Sequence, residues 1–205
     1  MKQRKTLSED CGENVKKAFK LVFSYNPLTG EITRKETGRT YNKVTFKGYK
    51  RDIYLKIGEI EYRSTYHRLC WFLYYDTIIP SDIQIDHINN IKLDNRIVNL
   101  RLCTNAQNSK KKPLRADNKS GYKGICYTID RNKYGTIYHY YTAAIAIDKK
   151  SYKIGRFKDP IIAASYYDSA ARYYFKDFSL CNFSDEILPP MTIEQLQIHK
   201  KNNKH

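Results

Sequence analysis

The sequence predicts an α+β fold in two small domains. The first is a small antiparallel sheet joined to a strand–loop–strand–helix module, and the second is a three-stranded antiparallel sheet packed on one helix. Three observations predict this. Short runs rich in β-branched and aromatic residues, punctuated by Asn, Gly and Pro, recur through residues 23–64 and again through 122–157. A capping box, Thr104-Asn105-Ala106-Gln107, follows Leu100-Arg101-Leu102, so a helix begins at Asn105 directly after a strand. Asp159-Pro160 supplies an N-cap and first-turn pair ahead of an alanine-bearing helix that runs to about Lys176. With 205 residues, 41% of them apolar, the chain can bury two cores despite a mean hydropathy of −0.69.

Residues 1 to 7 are basic and read as disordered. From Ser8 onward Val15, Ala18, Phe19 and Val22 recur at helical spacing, after which Phe23-Ser24-Tyr25 can extend. Asn26-Pro27-Leu28-Thr29-Gly30 is a turn, Pro fixing φ and Gly allowing a positive one. Strand candidates follow at Glu31 to Arg34, Lys43 to Lys47, Arg51 to Leu55 and Ile60 to Arg63, with turns at Gly48 and Gly58, and these make one small antiparallel sheet. Ser64 is expected to cap a helix through about Tyr75, with Leu69, Cys70, Phe72 and Leu73 apolar. His67, near the start of that helix, reads as structural or as a phosphate contact.

The stretch from Ile85 to Ser109 carries the chemistry. Asp86-His87 closes a short apolar run, a polar loop follows, and Leu100-Arg101-Leu102 leads into the capped helix that holds Asn108. A hairpin would bring the ends of its two strands together. A carboxylate and an amide oxygen make a sparse, hard-oxygen site suited to Mg²⁺ completed by substrate phosphate oxygens. A neutral imidazole beside it can take a proton from a water attacking phosphorus. Any one Asn here is adequately explained as a turn residue, but the whole constellation is not.

These residues resemble the HNH endonucleases, specifically the His-Asn-Asn variant of phage and intron-encoded homing enzymes. The match lies in Asp86, His87, Asp94-Asn95-Arg96, Asn99-Leu100-Arg101 and Gln107-Asn108. The Tyr25-Asn26-Pro27-x-Thr29-Gly30 turn, the basic hairpins and His67-Arg68-Leu69 also look like the leader of phage members. The resemblance implies a ββα-metal site with His87 as general base, Asp86 and Asn108 holding one divalent cation, and Asn99 bracing the loop and orienting the histidine. Where many relatives have His, this chain has Asn108, which makes Mg²⁺ or Mn²⁺ the expected ion rather than Zn²⁺.

Beyond Asn108 the helix runs into Lys110-Lys111-Lys112 and is expected to stop at Pro113, with a polar linker to Ser120. Tyr122 to Phe183 forms the second unit, with strands at Lys123 to Thr128, His139 to Ile147 and Ser151 to Phe157. Strand alternation puts Ile125, Ile145, Tyr152 and Ile154 inward. It puts Lys123, Cys126, Thr128, Ala144, Ala146, Ser151 and Lys153 outward. The unit resembles the DNA-binding domain of plant ethylene response factors, also found fused to phage HNH nucleases. The residues that carry this likeness are Ser120-Gly121-Tyr122-Lys123-Gly124, Ala143 to Ile145, Ile154-Gly155-Arg156-Phe157, Ala163-Ala164, Tyr167-Asp168 and Asn182-Phe183. In that family the sheet face opposite the helix reads the DNA major groove. The outward residues here differ from the plant pattern, so base preference does not transfer. The expected DNA contacts are Lys110, Lys111, Lys123, Thr128, Lys149, Lys150, Ser151 and Lys153.

The expected organisation is a segment 1–22 with a helix, an endonuclease domain 23–114, a linker 115–120, a DNA-binding domain 121–185 and a basic tail 186–205 with a short helix from Ile193 to His199. A net charge of +16, from 37 basic against 21 acidic residues, calls for a polyanionic partner, and double-stranded DNA is the default. No apolar run approaches the roughly 18 residues of a membrane span and no secretory segment follows Met1, so a cytoplasmic protein without a membrane partner is expected. Five scattered cysteines without a C-x-x-C pair suggest neither a zinc ribbon nor a disulfide framework. Together these readings indicate a metal-dependent, site-preferring DNA endonuclease with no small-molecule cofactor. With one Asp86-His87/Asn108 set and no surplus amphipathic helix, it is expected to be a monomer that nicks one strand. The alternative is a non-catalytic DNA-binding regulator, which would not need that set. An RNA-acting nuclease fits less well, because a sheet reader does not enter the narrow major groove of A-form RNA.

Overall fold

The computed structural model describes residues 3–8, 11–41, 44, 48, 52–111, 114 and 116–203, in two compact units, Met1–Asn105 and Ala106–His205.

 The expected strand at Lys43 to Lys47 and the helix stop at Pro113 fall largely outside the described residues. Among those described, no helix is long and apolar enough to cross a membrane.

In the N-terminal unit, α1 (Glu13–Val22) leads into a hairpin of β2 (Phe23–Asn26) and β3 (Glu31–Arg34). Asn26 shapes its turn, the side-chain Oδ1 accepting from the N–H groups of Leu28 and Thr29 at 3.0 and 3.3 Å. β4 (Ile53–Ile57) and β5 (Ile60–Ser64) pair antiparallel, and α2 (Tyr66–Tyr75) follows. Among the described residues the expected single sheet is thus two, because β3 pairs with β2 and β4 with β5. Phe19, Phe23, Ile32, Ile53, Leu69 and Phe72 are buried together and join helices to strands.

Two N-terminal expectations are corrected. Residues 1 to 7 are not all disordered: β1 (Gln3–Thr6) pairs parallel with β5. Its four side chains are exposed and show no strand alternation. The pairing comes instead from the open edge of β5 and from Leu7, which is buried and donates its N–H to Arg63 O at 2.8 Å. Ser64 does not cap α2, since it ends β5 and Thr65 occupies the cap position with extended backbone.

β6 (Ile83–His87) and β7 (Leu100–Thr104) form the next antiparallel pair, in a register that sets Asp86 opposite Arg101 and His87 opposite Leu100. A single 3-10 turn, Ile97–Asn99, enters β7. The helix α3 (Asn105–Lys110) starts where the capping box places it.

In the C-terminal unit, β8 (Ile125–Arg131), β9 (Ile137–Ile147) and β10 (Lys150–Phe157) form an antiparallel sheet in the order β10-β9-β8. α4 (Pro160–Phe175) is capped by Asp159, whose Oδ1 accepts from Ile161 and Ile162 N–H at 2.6 and 3.2 Å. Its Ala163, Ala164, Ala170 and Ala171 are fully buried, so the helix backbone lies close to Ile125, Ala143 and Ile145 of the sheet. Asn118 and Ser120, expected in a linker, belong to this unit: Ser120 Oγ donates to Tyr122 O and Ile125 O at 3.0 and 2.9 Å.

The second unit has two helices rather than one. The helix expected from Ile193 to His199 within the basic tail runs on as α5 (Ile193–Asn203) and joins this unit, with Ile193 and Leu196 buried in the core. Tyr166 and His199 share a 2.7 Å hydrogen bond, and Gln197 Nε2 donates to Lys153 O at 3.0 Å. Four buried or bonded positions on a short polar helix, Ile193, Leu196, Gln197 and His199, are too few for spacing to show that it packs on this core. Tyr152, expected inward, is 41% exposed. It pairs with Ile145, but β10 is an edge strand, and the register shifts between Lys153 and Gly155.

Candidate active site

The site of the N-terminal unit is built on the β6–β7 hairpin and its connecting loop. Asp86 and His87 end β6 and are both buried. Asn99 ties the loop: its Oδ1 accepts from Asn89 N–H at 2.9 Å, its Nδ2 donates to Asp94 O at 2.7 Å, and its carbonyl accepts from Ile88 N–H at 2.9 Å. The group that meets the His87 ring, however, is Asn95, with Nε2 and Oδ1 at 3.2 Å.

Asn95 fixes the chemistry of that ring. It is 1% exposed, and its Nδ2 donates to Leu93 O at 3.1 Å, which orients the amide with Oδ1 toward the histidine. An amide oxygen only accepts, so His87 carries its proton on Nε2 and the lone pair falls on Nδ1. Asn95 was part of the recognised motif, but spacing alone gave it no role. Its loop is further held by Asp94, which Arg96 grips through Nε and Nη2 at 2.8 and 2.7 Å. That guanidinium holds the Asp94 carboxyl down at about 2.

Residues far away in sequence support the same loop. Tyr25 OH donates to Asn95 O at 2.7 Å, and Ile97 N–H donates to Pro27 O at 3.2 Å. The Tyr25-to-Gly30 turn therefore packs on the segment that carries Asn95. Gly30 has φ +73°, and a Cβ there would lie 2.6 Å from Asn95 C and Arg96 N. Gly30→Ala is expected to displace the loop, lowering stability by about 2 kcal/mol and cleavage by roughly tenfold or more. Gly58→Ala, also at positive φ but with open space around it, tests strain alone. Equal losses of melting temperature and activity in both variants would show that the contact with the loop is immaterial.

α2 contributes two side chains. Arg68 donates to Ile83 O at 3.0 Å, to Pro80 O at 3.1 Å and to Ile79 O, pinning the chain that enters β6. The His67 ring meets that of His87 edge to face, centroids 5.8 Å apart. Burial, with His87 and Arg68 adding to it, pushes His67 down to about 4. It is therefore neutral at ordinary pH, which suits the packing role rather than the phosphate contact.

Asp86 offers hard oxygen donors, and Arg101 Nε holds its Oδ2 at 2.8 Å. A carboxylate accepts at both oxygens, so the donor chemistry fits a hard divalent cation with Arg101 orienting the group. Among the described residues no cluster of three or more His, Cys, Asp or Glu is placed to hold a metal, so any ion would rest on a sparse set. Asn108, the other expected ligand, lies on α3, in the C-terminal unit.

On the C-terminal sheet, register places Thr128, Ala144, Ala146, Ser151 and Lys153 on the face away from α4. Tyr140, Thr142 and Arg156 share it, and Arg156 lies 4.2 Å from the centre of the Tyr140 ring. Lys149 sits in the β9–β10 turn with φ 66°, Lys150 opens β10, and Lys111 follows α3. Two expected phosphate contacts are engaged within the unit instead. Lys110 Nζ donates to Ala146 O at 2.8 Å and lies over the Phe175 ring, while Lys123 Nζ donates to Lys110 O at 2.5 Å. Spacing could not reveal these contacts, which form across the folded unit.

Residues 65–110 match the family model described as HNH endonuclease. A protein of Acanthamoeba polyphaga mimivirus, described as an uncharacterised HNH endonuclease, is 33% identical over 119 residues. That match covers 58% of this chain and 57% of the viral protein, so it spans little more than half of that relative. A solved structure titled "DNA binding and cleavage by the HNH homing endonuclease I-HmuI" aligns with a TM-score of 0.36 and 21% identity, over 57% of this chain and 70% of that one. Residues 65–110 are thus the part of the chain that is similar to the HNH endonucleases.

Proposed function

We propose that the protein is a metal-dependent, site-preferring DNA endonuclease of homing type that nicks one strand of a duplex. The observation that carries this reading is the buried His87–Asn95 hydrogen bond next to the Asp86 carboxylate, inside the segment that matches the HNH endonucleases. His87 takes a proton at Nδ1 from the water that attacks phosphorus, while Asn95 keeps Nε2 protonated and the ring oriented. Asn99 and the Asp94–Arg96 pair keep the loop in place during the step. Asp86 and Asn108 would hold Mg²⁺ or Mn²⁺, one ion per site, which when bound offsets the charge developing on the phosphate oxygens. The C-terminal unit serves as the targeting module, its sheet face of Thr128, Ala144, Ala146, Ser151 and Lys153 lying against the duplex.

The test uses purified protein and a supercoiled plasmid carrying one target from the DNA of its source, with Mg²⁺, Mn²⁺ or EDTA. Open circle is expected to accumulate before any linear form, and only with metal, because one chain holds one such site and attacks one phosphodiester at a time. Linear product from the outset, at a rate rising with the square of protein concentration, would point to a dimer. Binding without cleavage under every metal condition would favour a non-catalytic regulator.

A further inference from the structure

A second basic feature of the C-terminal unit extends beyond the expected DNA contacts and shares only Lys153 with them. Between the edge strand β10 and α5 is a cleft of about 370 Å³, lined by Lys153 and Arg156 from the strand and by Gln197, Lys200 and Lys201 from the helix. Among the described residues no carboxylate lines it. Among the described residues, none pairs with Lys153, Lys200 or Lys201 either, whereas Arg156 is held by Asp130 at 2.5 Å.

The walls of the cleft are built, not incidental. Leu196 is fully buried beneath α5, the Tyr166–His199 bond ties the helix to α4, and Gln197 ties it to the Lys153 carbonyl of the strand edge. Lys200 lies close to the backbone at Gly155, where a Cβ would come within 2.8 Å of its Cδ, and its Nζ sits 5.3 Å from the centre of the Phe157 ring. These contacts fix the direction of the helix relative to the strand. Several like charges gathered along a defined cleft repel one another unless an anion lies among them.

Position identifies the anion. Lys153 pairs with Ala144 and Arg156 with Thr142, so both project from the sheet face away from α4 as they line the cleft. The cleft therefore opens along the margin of that face. We propose that it binds the phosphate backbone of one DNA strand where the duplex leaves the sheet, with Lys153, Lys200 and Lys201 contacting adjacent phosphates. This rests on the reading of the C-terminal unit as a DNA-binding module. It adds α5 as a positioning element that reads no bases.

The test compares DNA affinity as a function of salt for the full chain and for K200Q/K201Q. A control, K16Q/K17Q, removes the same charge from α1. The cleft variant is expected to bind roughly tenfold more weakly on any sequence. The slope of log affinity against log salt should fall by about 1.8, or 0.9 for each lost contact, and fall less in the control. Lys153→Gln should lower the slope by about 0.9 on its own, which keeps the test decisive if the double variant is misfolded. Equal slopes in cleft variants and wild type, with wild type binding DNA normally, would overturn the cleft assignment alone. Equal losses in cleft and control variants would also overturn it, leaving only net charge. Absence of DNA binding by the wild type would overturn the reading of the unit and the cleft assignment with it.

Discussion

His87→Ala is expected to lower DNA cleavage by roughly 10²- to 10⁴-fold while leaving DNA affinity within about twofold of wild type. A general base acts in the chemical step, so its loss is seen in the single-turnover rate and not in binding. His87 is buried against His67 and bonded to Asn95, so truncation also leaves a small cavity and an unpaired amide oxygen. Asn95→Ala separates these effects. It keeps the imidazole but releases the constraint on its tautomer, and should lower the cleavage rate less than His87→Ala does. Single-turnover kinetics and fluorescence anisotropy on the same DNA measure both quantities. Affinity falling in parallel with rate in His87→Ala would make the residue a binding or structural group.

Asp168→Ala is expected to destabilise the C-terminal unit by on the order of 3 kcal/mol, lowering its melting temperature by roughly 10–20 °C. The carboxylate is buried in α4 and accepts from Asn182 N–H at 2.9 and 2.8 Å, from Asn182 Nδ2 at 2.9 Å and from Phe183 N–H at 2.9 Å. Asn182 in turn accepts from Lys123 N–H at 2.7 Å and donates to Lys123 O at 3.1 Å. One carboxylate thus ties the end of the sheet-and-helix unit to its beginning. Burial pushes the Asp168 carboxyl upward while the N–H donors pull it down. Removing the acceptor leaves these donors facing a void, so the penalty is that of unmet hydrogen bonds and not of lost area. Thermal unfolding followed by circular dichroism checks it. A shift smaller than about 3 °C would show that Asn182 and Phe183 find other partners.

Much of the fold and the residue types of the site were legible because their causes are local. The capping box placed the start of α3, Asp159-Pro160 placed that of α4, and alternation placed Ile125, Ile145 and Ile154 inside. Asp86, His87 and Asn99 stood out as candidates by residue type and by the resemblance to the HNH endonucleases, since a carboxylate, an imidazole and amides suit a hydrolytic phosphate site. What remained hidden depended on partners distant in the chain. β1 has no apolar pattern and forms on the edge of β5, while α5 is held by contacts to Tyr166 and Lys153. Lys110 and Lys123 are engaged within the unit because acceptors across it meet their ammonium groups. The partner of His87, and the support Asn95 receives from Tyr25 and the turn ending at Gly30, were likewise decided in space. Sequence determined which groups could do the chemistry, because side-chain identity sets charge, basicity and donor type. Tertiary structure alone decided which nitrogen of His87 carries the lone pair, because a tautomer is chosen by the hydrogen-bond partner the folded chain brings to it.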